Sequence, residues 1–515
     1  MFSQSIHRYL FLFGCCTLMC GMMLGAILTS IPQFIIVGNW LLEGDFKNKW
    51  LKLKTNKFFW VVISVFFIHV VGLLYSQNIS DGLNDLQIKL PLLLLPIVFF
   101  STKPPSLNEF YLLLYCFLLG CVINTVWCYI YSFILHKNET IRHVSRYMNH
   151  IRLGLYLNMA ICCCVYFIKQ NTSRLIKALF YFLILYYVFA LYALGLASGI
   201  FTLFLLLIIF VMIVIFKQKL IFKGLAVITL IVSVFFITNY IKSIYNFQFT
   251  LNATAVNVPI HSSKNYWDTV INYQKENGNL VFININEFEL KQQWKKRFNA
   301  DSFDYSTRHN INRYYILLRY LASKGLTKDS VGVSKLLPQD FENIKNNITN
   351  YLYPSWGNLH KRIYELVIEY DEFKNNRSIN GHSLTMRLYF WQAAFKVIKN
   401  NPLIGVGTGD VQQQLNETYI TTKSPLSAEW YKRPHNQFIT ITVALGIFGL
   451  LIFVSSIIYP VLKLRNQLTV LYFPFLIILI SSFMLEDTLE SQAGLSFFVV
   501  FNTLFISLAY NKVKS

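Results

Sequence analysis

At 515 residues, 55% hydrophobic and only 14% charged, with a mean hydropathy of +0.44, the chain reads as a polytopic membrane protein and not a soluble one. Its formal net charge of +21 points to membrane topology and not to nucleic acid, because much of the excess sits in short loops between apolar runs. All nine cysteines fall inside apolar runs, so no disulfide framework is implied and no zinc-ligand spacing appears outside the membrane.

Apolar runs long enough to cross a bilayer, or nearly so, fall at roughly 9–29, 31–43, 58–75, 86–101, 109–134, 152–168, 176–195, 199–216, 223–240, 436–460, 467–486 and 492–510. The first lacks a small-x-small cleavage site and is read as a retained helix. The second is short, and is tilted or partly interfacial. Cys162, Cys163 and Cys164 read as small apolar packing residues. The expected fold is all-α, with about twelve transmembrane helices. With the N-terminus inside, the predicted inner segments carry 17 Lys and Arg residues, and the short outer loops carry only Lys137, Arg142, Arg146 and Arg152. The positive-inside rule then puts both termini in the cytoplasm and requires an even number of spans.

Three parts follow. Residues 1–240 form a membrane domain of about nine helices, 241–435 one large outer loop, and 436–515 about three further helices. The loop carries 24 Lys and Arg against 16 Asp and Glu. A loop of that length is expected to fold or to be functional. Within it, 360–372 and 384–399 read as helices, "EFKNNRSINGHS" between them as a linker, and "LVFININEFEL" at 280–290 as a strand. The part from 253 to 352 shows no chemical motif.

Five segments can carry chemistry. In "GLNDLQIKLPLLLLP", Lys89 lies just below the outer surface of an apolar helix; either it snorkels or it meets an anion. In "RHVSRYMNHIRLGLYL", Arg146 and Arg152 join Arg142 where topology disfavours positive charge, and either bind lipid phosphate in general or one anionic ligand. In "SLTMRLYFWQAAFKVIKNNPLIGVGTGD", Ser383 reads as an N-cap, and Leu384, Leu388 and Trp391 as an apolar stripe. Arg387 shares a face with Trp391, the first suited to a diphosphate and the second to the membrane interface. The glycines at 405, 407 and 409 allow a tight turn with exposed N–H groups, but they follow a helix and so are no dinucleotide fingerprint.

In "YKRPHNQFITITVALGIFGLLIF", His435 and Asn436 open a span. Either the pair caps the helix, or His435 is a base at the membrane surface. In "MLEDTLESQAG", Glu486, Asp487 and Glu490 fill a short outer turn; a solvated turn competes with a role in orienting or balancing His435 and the arginines. The chain has no P-loop, no HExxH and no Cys/His cluster, so neither nucleotide nor zinc is expected and no cofactor is called for.

The order of these motifs resembles the O-antigen ligase / O-antigen polymerase family: many spans with one large outer loop before the last ones, then "R-x-x-x-W-x-x-A" at 387–394, "NPLIGVGTGD", and "HNQF" at the next span. The resemblance implies a GT-C-like glycosyltransferase of the bacterial inner membrane, metal-independent and inverting, with the large loop periplasmic. Its donor is a glycan on undecaprenyl diphosphate and its acceptor lipid A-core or another glycan, with membrane lipids as the remaining partners and no nucleic acid. The resemblance carries a catalytic role to His435 and a diphosphate-binding role to Arg387. Asn436, Trp391, Glu486 and Glu490 are then supporting residues. The family often has a Ser-Arg pair where this chain has Ser198-Gly199. Arg152, with Arg146 and Lys89, is the expected replacement for that arginine. A polymerase of the same superfamily, or a flippase for lipid-linked oligosaccharide, remains open at this point.

Overall fold

The computed structural model describes residues 3–131, 147–216, 220–251, 274–298, 313–375 and 380–514. Eleven helices come first: α1 (Gln4–Gly21), α2 (Ala26–Glu43), α3 (Phe46–Lys54), α4 (Lys57–Leu74), α5 (Ile79–Lys89), α6 (Pro91–Ser101), α7 (Leu107–Tyr129), α8 (His150–Gln170), α9 (Arg174–Ala193), α10 (Ala197–Phe216) and α11 (Leu220–Phe249). A short antiparallel pair, β1 (Lys275–Glu276) and β2 (Asn279–Leu280), leads into α12 (Glu287–Phe298), α13 (Arg313–Ser323), α14 (Ser330–Ser334), α15 (Pro338–Lys345) and α16 (Asn358–Lys374). Then follow α17 (Ser383–Asn400), α18 (Val411–Thr421), α19 (Gln437–Leu464), α20 (Tyr472–Leu485) and α21 (Gln492–Lys514).

Among the described residues, ten helices are long and apolar enough to cross a membrane, α5 and α6 together forming one of them. The protein is an all-α polytopic membrane protein. The two other expected spans are helical but fall outside that set. α1 carries His7 and Arg8 in its first turns, and α20 has 14 residues. Local sequence sets many of the starts. Asn56 accepts the N–H groups of Phe58 and Phe59 to open α4. Ser106 and Glu109 form a capping box at α7, and Glu109 also pairs with Arg8 of α1.

The contacts divide the chain into two compact units. The first, Met1–Ile213 with Asn376–Ser515, brings together spans from both sides of the long loop. There α19 packs on α4, α21 on α6, and α20 on α8. α19 is interrupted at Gly446, whose backbone is left-handed at φ 62. The loop 402–407 fills the interruption: Ile447 donates to the Pro402 carbonyl, while Val406 and Gly407 donate to those of Val443 and Ala444. A broken membrane helix is tolerated where other protein groups satisfy its freed backbone.

The second unit, Val214–Asn375, has its own core around Leu290, Trp294, Leu317, Leu321 and Val333. Within it, buried Glu276 is paired with Arg319 at 2.5 Å and is further bonded by Asn350 and Tyr364. The strand expected at 280–290 shrinks to Asn279–Leu280 and one bridge from Ile285 to Lys328. From Glu287 the chain is helical, since Glu287 and Glu289 sit in the first turn and Lys295, Lys296 and Arg297 in the last, as the helix dipole favours. The linker expected at 372–383 falls partly outside the described residues; on either side α16 and α17 form where helices are expected.

Candidate active site

The turn between α20 and α21 is the centre of the site. Of Glu486, Asp487 and Glu490, read above as a solvated turn or a balancing group, the first two are buried and Glu490 nearly so, its side chain 12% exposed. Each binds a group from elsewhere in the chain. Asp487 accepts the backbone N–H groups of His435 (3.0 Å) and Asn436 (3.1 Å) and the hydroxyl of Thr440 (2.5 Å). Burial pushes the Asp487 carboxyl up, while the Thr440 hydrogen bond and His435 pull it down; the net shift is upward.

Glu490 accepts from Lys89 (2.8 Å) and Arg433 (2.6 Å). Burial alone would raise its pKa, but the two cations outweigh burial and hold it well below the usual carboxylate range. Glu486 accepts from Asn149, which caps α8, and the carbonyl of Leu485 accepts from Arg387 at 2.8 Å. Gln437 ties the same turn to α19 by accepting from the Leu489 N–H at 2.7 Å.

His435 is therefore fixed by its backbone. It lies in the left-handed region at φ 50, with its own N–H and that of Asn436 donated to Asp487. Asn436 is the N-cap of α19, accepting from the Ile439 N–H, so the cap belongs to Asn436 and not to His435. The imidazole is 33% exposed. Its buried Nδ1 makes no hydrogen bond among the described residues and lies 3.7 Å from Asp487 and 3.8 Å from Glu486. One face of the ring lies on Phe390 of α17, with centroids 5.8 Å apart.

Several expectations change in this setting. Lys89 does not snorkel: it is 0% exposed, and its ammonium bonds to Asp85 (2.7 Å) and Glu490. Both partners compete with any phosphate contact for it. Ser383 is not the N-cap of α17, which is His382. The stripe of Leu384 and Leu388 stays exposed, and Met386, Phe390, Ala394 and Val397 form the packed face instead. Trp391 is half-buried in that cluster and donates to the Pro434 carbonyl, which helps set the loop before His435.

The glycine-rich turn does not present free N–H groups. Those of Gly405, Gly407 and Gly409 go to Asn401, Ala444 and Ser76. A β-carbon at Gly409 would lie 2.0 Å from the Asn78 carbonyl oxygen. Asp410 closes the motif by accepting from Gln77 (2.8 Å) and Asn78 (2.7 Å) at the start of α5.

The departure at Ser198-Gly199 has a steric reason. A β-carbon on Gly199 would stand 2.7 Å from the Cα of Gly154, so a side chain there collides with α8. Arg152 lies two residues before Gly154, and its buried Nε has no hydrogen-bond partner among the described residues. Arg142 and Arg146 lie outside the described residues. Asp487 was marked in the sequence with its acidic neighbours, whereas Asp85, Thr440 and Arg433 were not singled out. The one available signal was the i,i+4 spacing of Asp85 and Lys89 within an apolar setting.

Together, the fold and the site define a multi-pass membrane protein whose histidine, arginines and buried carboxylates converge where its helices turn. Residues 346–454 match the family described as O-Antigen ligase. Over that segment, which holds Arg387, Trp391, His435 and Asn436, the chain carries the domain of the O-antigen ligase / O-antigen polymerase family, an enzyme family. Asp487, Glu490, Lys89 and Arg152 lie outside the match. No curated protein matches the chain.

Proposed function

We propose that this protein is an O-antigen ligase, moving a glycan from undecaprenyl diphosphate to a hydroxyl of lipid A-core at the periplasmic face of the bacterial inner membrane. The observation that carries this reading is the placement of His435. Its Nδ1 lies within 4 Å of two buried carboxylates, a third of its side chain is exposed, and Arg387 is tied to the same turn. A carboxylate–imidazole arrangement of this kind suits a general base, because the carboxylates stabilise the imidazolium that forms. The 3.7 Å separation is long for a hydrogen bond, and the proposed reaction requires it to shorten once substrate is bound, as apo catalytic contacts commonly do.

The step is a single inverting displacement. His435 Nε2 takes the proton of the acceptor hydroxyl as that oxygen bonds to the anomeric carbon of the donor sugar. The bond from that carbon to the diphosphate oxygen breaks on the opposite face. Undecaprenyl diphosphate leaves as the anion, and Arg387 and Arg152 meet its charge through planar, charge-assisted hydrogen bonds. Arg146 stays an expected third contact from the same outer segment. Lys89 and Glu490 act behind the first contacts, holding the turn. The lipid diphosphate is already an activated leaving group, so the reaction needs no nucleotide and no metal.

The topology that fits this reading has the even number of spans that the charge distribution requires, with both termini cytoplasmic and 241–435 periplasmic. Glycan analysis of a deletion strain tests the assignment. Loss of a ligase leaves polymerised glycan on the carrier lipid. Loss of a polymerase leaves single repeats on the lipid A-core, and that outcome would reassign the enzyme within the family.

A further inference from the structure

Arg433, two residues before the proposed base, has an arrangement that the reaction described above does not use. Its Nη1 donates to Glu490 at 2.6 Å and lies 3.7 Å from Asp85. A quarter of the side chain (26%) is exposed, and among the described residues the remaining donors of the guanidinium make no hydrogen bond. Glu490 also bonds Lys89, which is itself shared with Asp85. The cluster is balanced, with Asp85 and Glu490 against Lys89 and Arg433. Three of its four members are closed in on one another, and only Arg433 reaches outward.

The chain on either side of Arg433 is fixed, the Lys432 carbonyl before it accepting from Tyr419 and the residues after it held as follows. Trp391 holds the Pro434 carbonyl, and Asp487 holds the N–H groups of His435 and Asn436. The guanidinium, on a residue two before the base in the chain, is therefore held at one edge, with its other donors unpaired among the described residues. Arginine's planar fork is the side chain best suited to bridge a protein carboxylate and a phosphate oxygen at once.

We propose that Arg433 is a further donor-binding residue: Glu490 holds one edge of its guanidinium, and the outward edge takes a phosphate oxygen of the lipid diphosphate. This rests on the donor class proposed above. The upward shift of the Arg433 pKa, in which Glu490 and Asp85 outweigh burial, agrees with a cation that stays charged throughout.

The test must separate ligand binding from a purely structural pair. Removing one member of a buried pair leaves an uncompensated charge, whereas removing both does not. The variant R433Q/E490Q removes both and leaves Lys89 paired with Asp85. The readouts are the donor KM and kcat in glycan transfer, and the inhibition constant of undecaprenyl diphosphate itself, for purified full-length protein. The expected result is a thermal midpoint close to that of the unsubstituted protein, with donor KM and inhibition constant both about 10-fold or more higher and kcat changed much less. Restoration of both constants to the original values would show that Arg433 is a structural partner of Glu490 only, and would overturn the proposal while leaving the ligase reading intact. Arg433→Lys keeps the ion pair and loses the fork. Its inhibition constant should rise several-fold, and an unchanged value would also overturn the proposal. If the unsubstituted protein neither binds undecaprenyl diphosphate nor transfers glycan from it, the proposal falls together with the reading beneath it.

Discussion

His435 keeps its backbone at φ 50, where a residue with a β-carbon is disfavoured by about 1–2 kcal/mol. Two N–H groups on Asp487 offset that strain, so the same carboxylate that faces the imidazole also fixes the backbone bearing it. This separates two substitutions that look alike in the sequence. His435→Ala should fold and bind donor, yet lose about 100-fold or more in kcat, as expected for removal of a general base. Asn436→Ala removes the cap on Ile439 and should lower stability by about 1 kcal/mol with a much smaller effect on kcat. Equal and small losses in the two variants, measured by single-turnover transfer and thermal unfolding, would reduce His435 to a helix-start residue. Arg387 lends itself to a matching comparison. Arg387→Lys keeps the charge but loses the planar fork that bonds Leu485 and, in the proposed reaction, would also take a phosphate, so turnover should fall well below that of the unsubstituted protein. Full activity in Arg387→Ala at normal expression would remove it from the site.

Among elements, the α20–α21 turn and the glycine-rich turn divide the labour. The first gathers the charged groups. The second fills the break in α19 and clasps α4 and α5, with Gly409 against the Asn78 carbonyl and Asp410 on the N–H groups of Gln77 and Asn78. Asp410→Ala should therefore cost about 1–3 kcal/mol through lost charge-assisted hydrogen bonds, and hydrogen exchange should quicken at 77–82. Gly409→Ala should be worse than Asp410→Ala, because its β-carbon meets backbone and not a flexible side chain. The reverse order in a thermal assay would contradict the clasp. Apolar periodicity made the helices legible, and the motifs marked His435 and Arg387. The sequence did not show where the carboxylates of the turn find their partners. Lys89 is 401 residues from Glu490 and Arg433 is 57, so a short acidic stretch between two apolar helices looks solvated until the spans are assembled. The exposed N–H groups expected of the glycines failed in part for the same reason: Gly407 donates to Ala444 of α19 and Gly409 to Ser76 just past α4, while Gly405 donates locally to Asn401.

At the scale of the whole molecule, every group assigned to the chemistry belongs to the first compact unit, which is assembled from both ends of the chain, while Val214–Asn375 folds around its own core. The 17-to-4 split of basic residues predicts that 241–435, which takes in most of this second unit, lies outside the cytoplasm. Cysteine placed at exposed Lys335 should react with an impermeant maleimide in intact spheroplasts, and reaction only after lysis would invert the topology. The central claim is that His435 activates a hydroxyl against a glycan carried on a lipid diphosphate. The most direct measurement is single-turnover transfer by purified protein from undecaprenyl-diphosphate-linked glycan to lipid A-core, comparing the unsubstituted chain with His435→Ala under saturating donor. The account predicts rapid transfer by the first and a loss of about 100-fold or more in the second, with donor binding retained. Transfer at equal rates by both would contradict it.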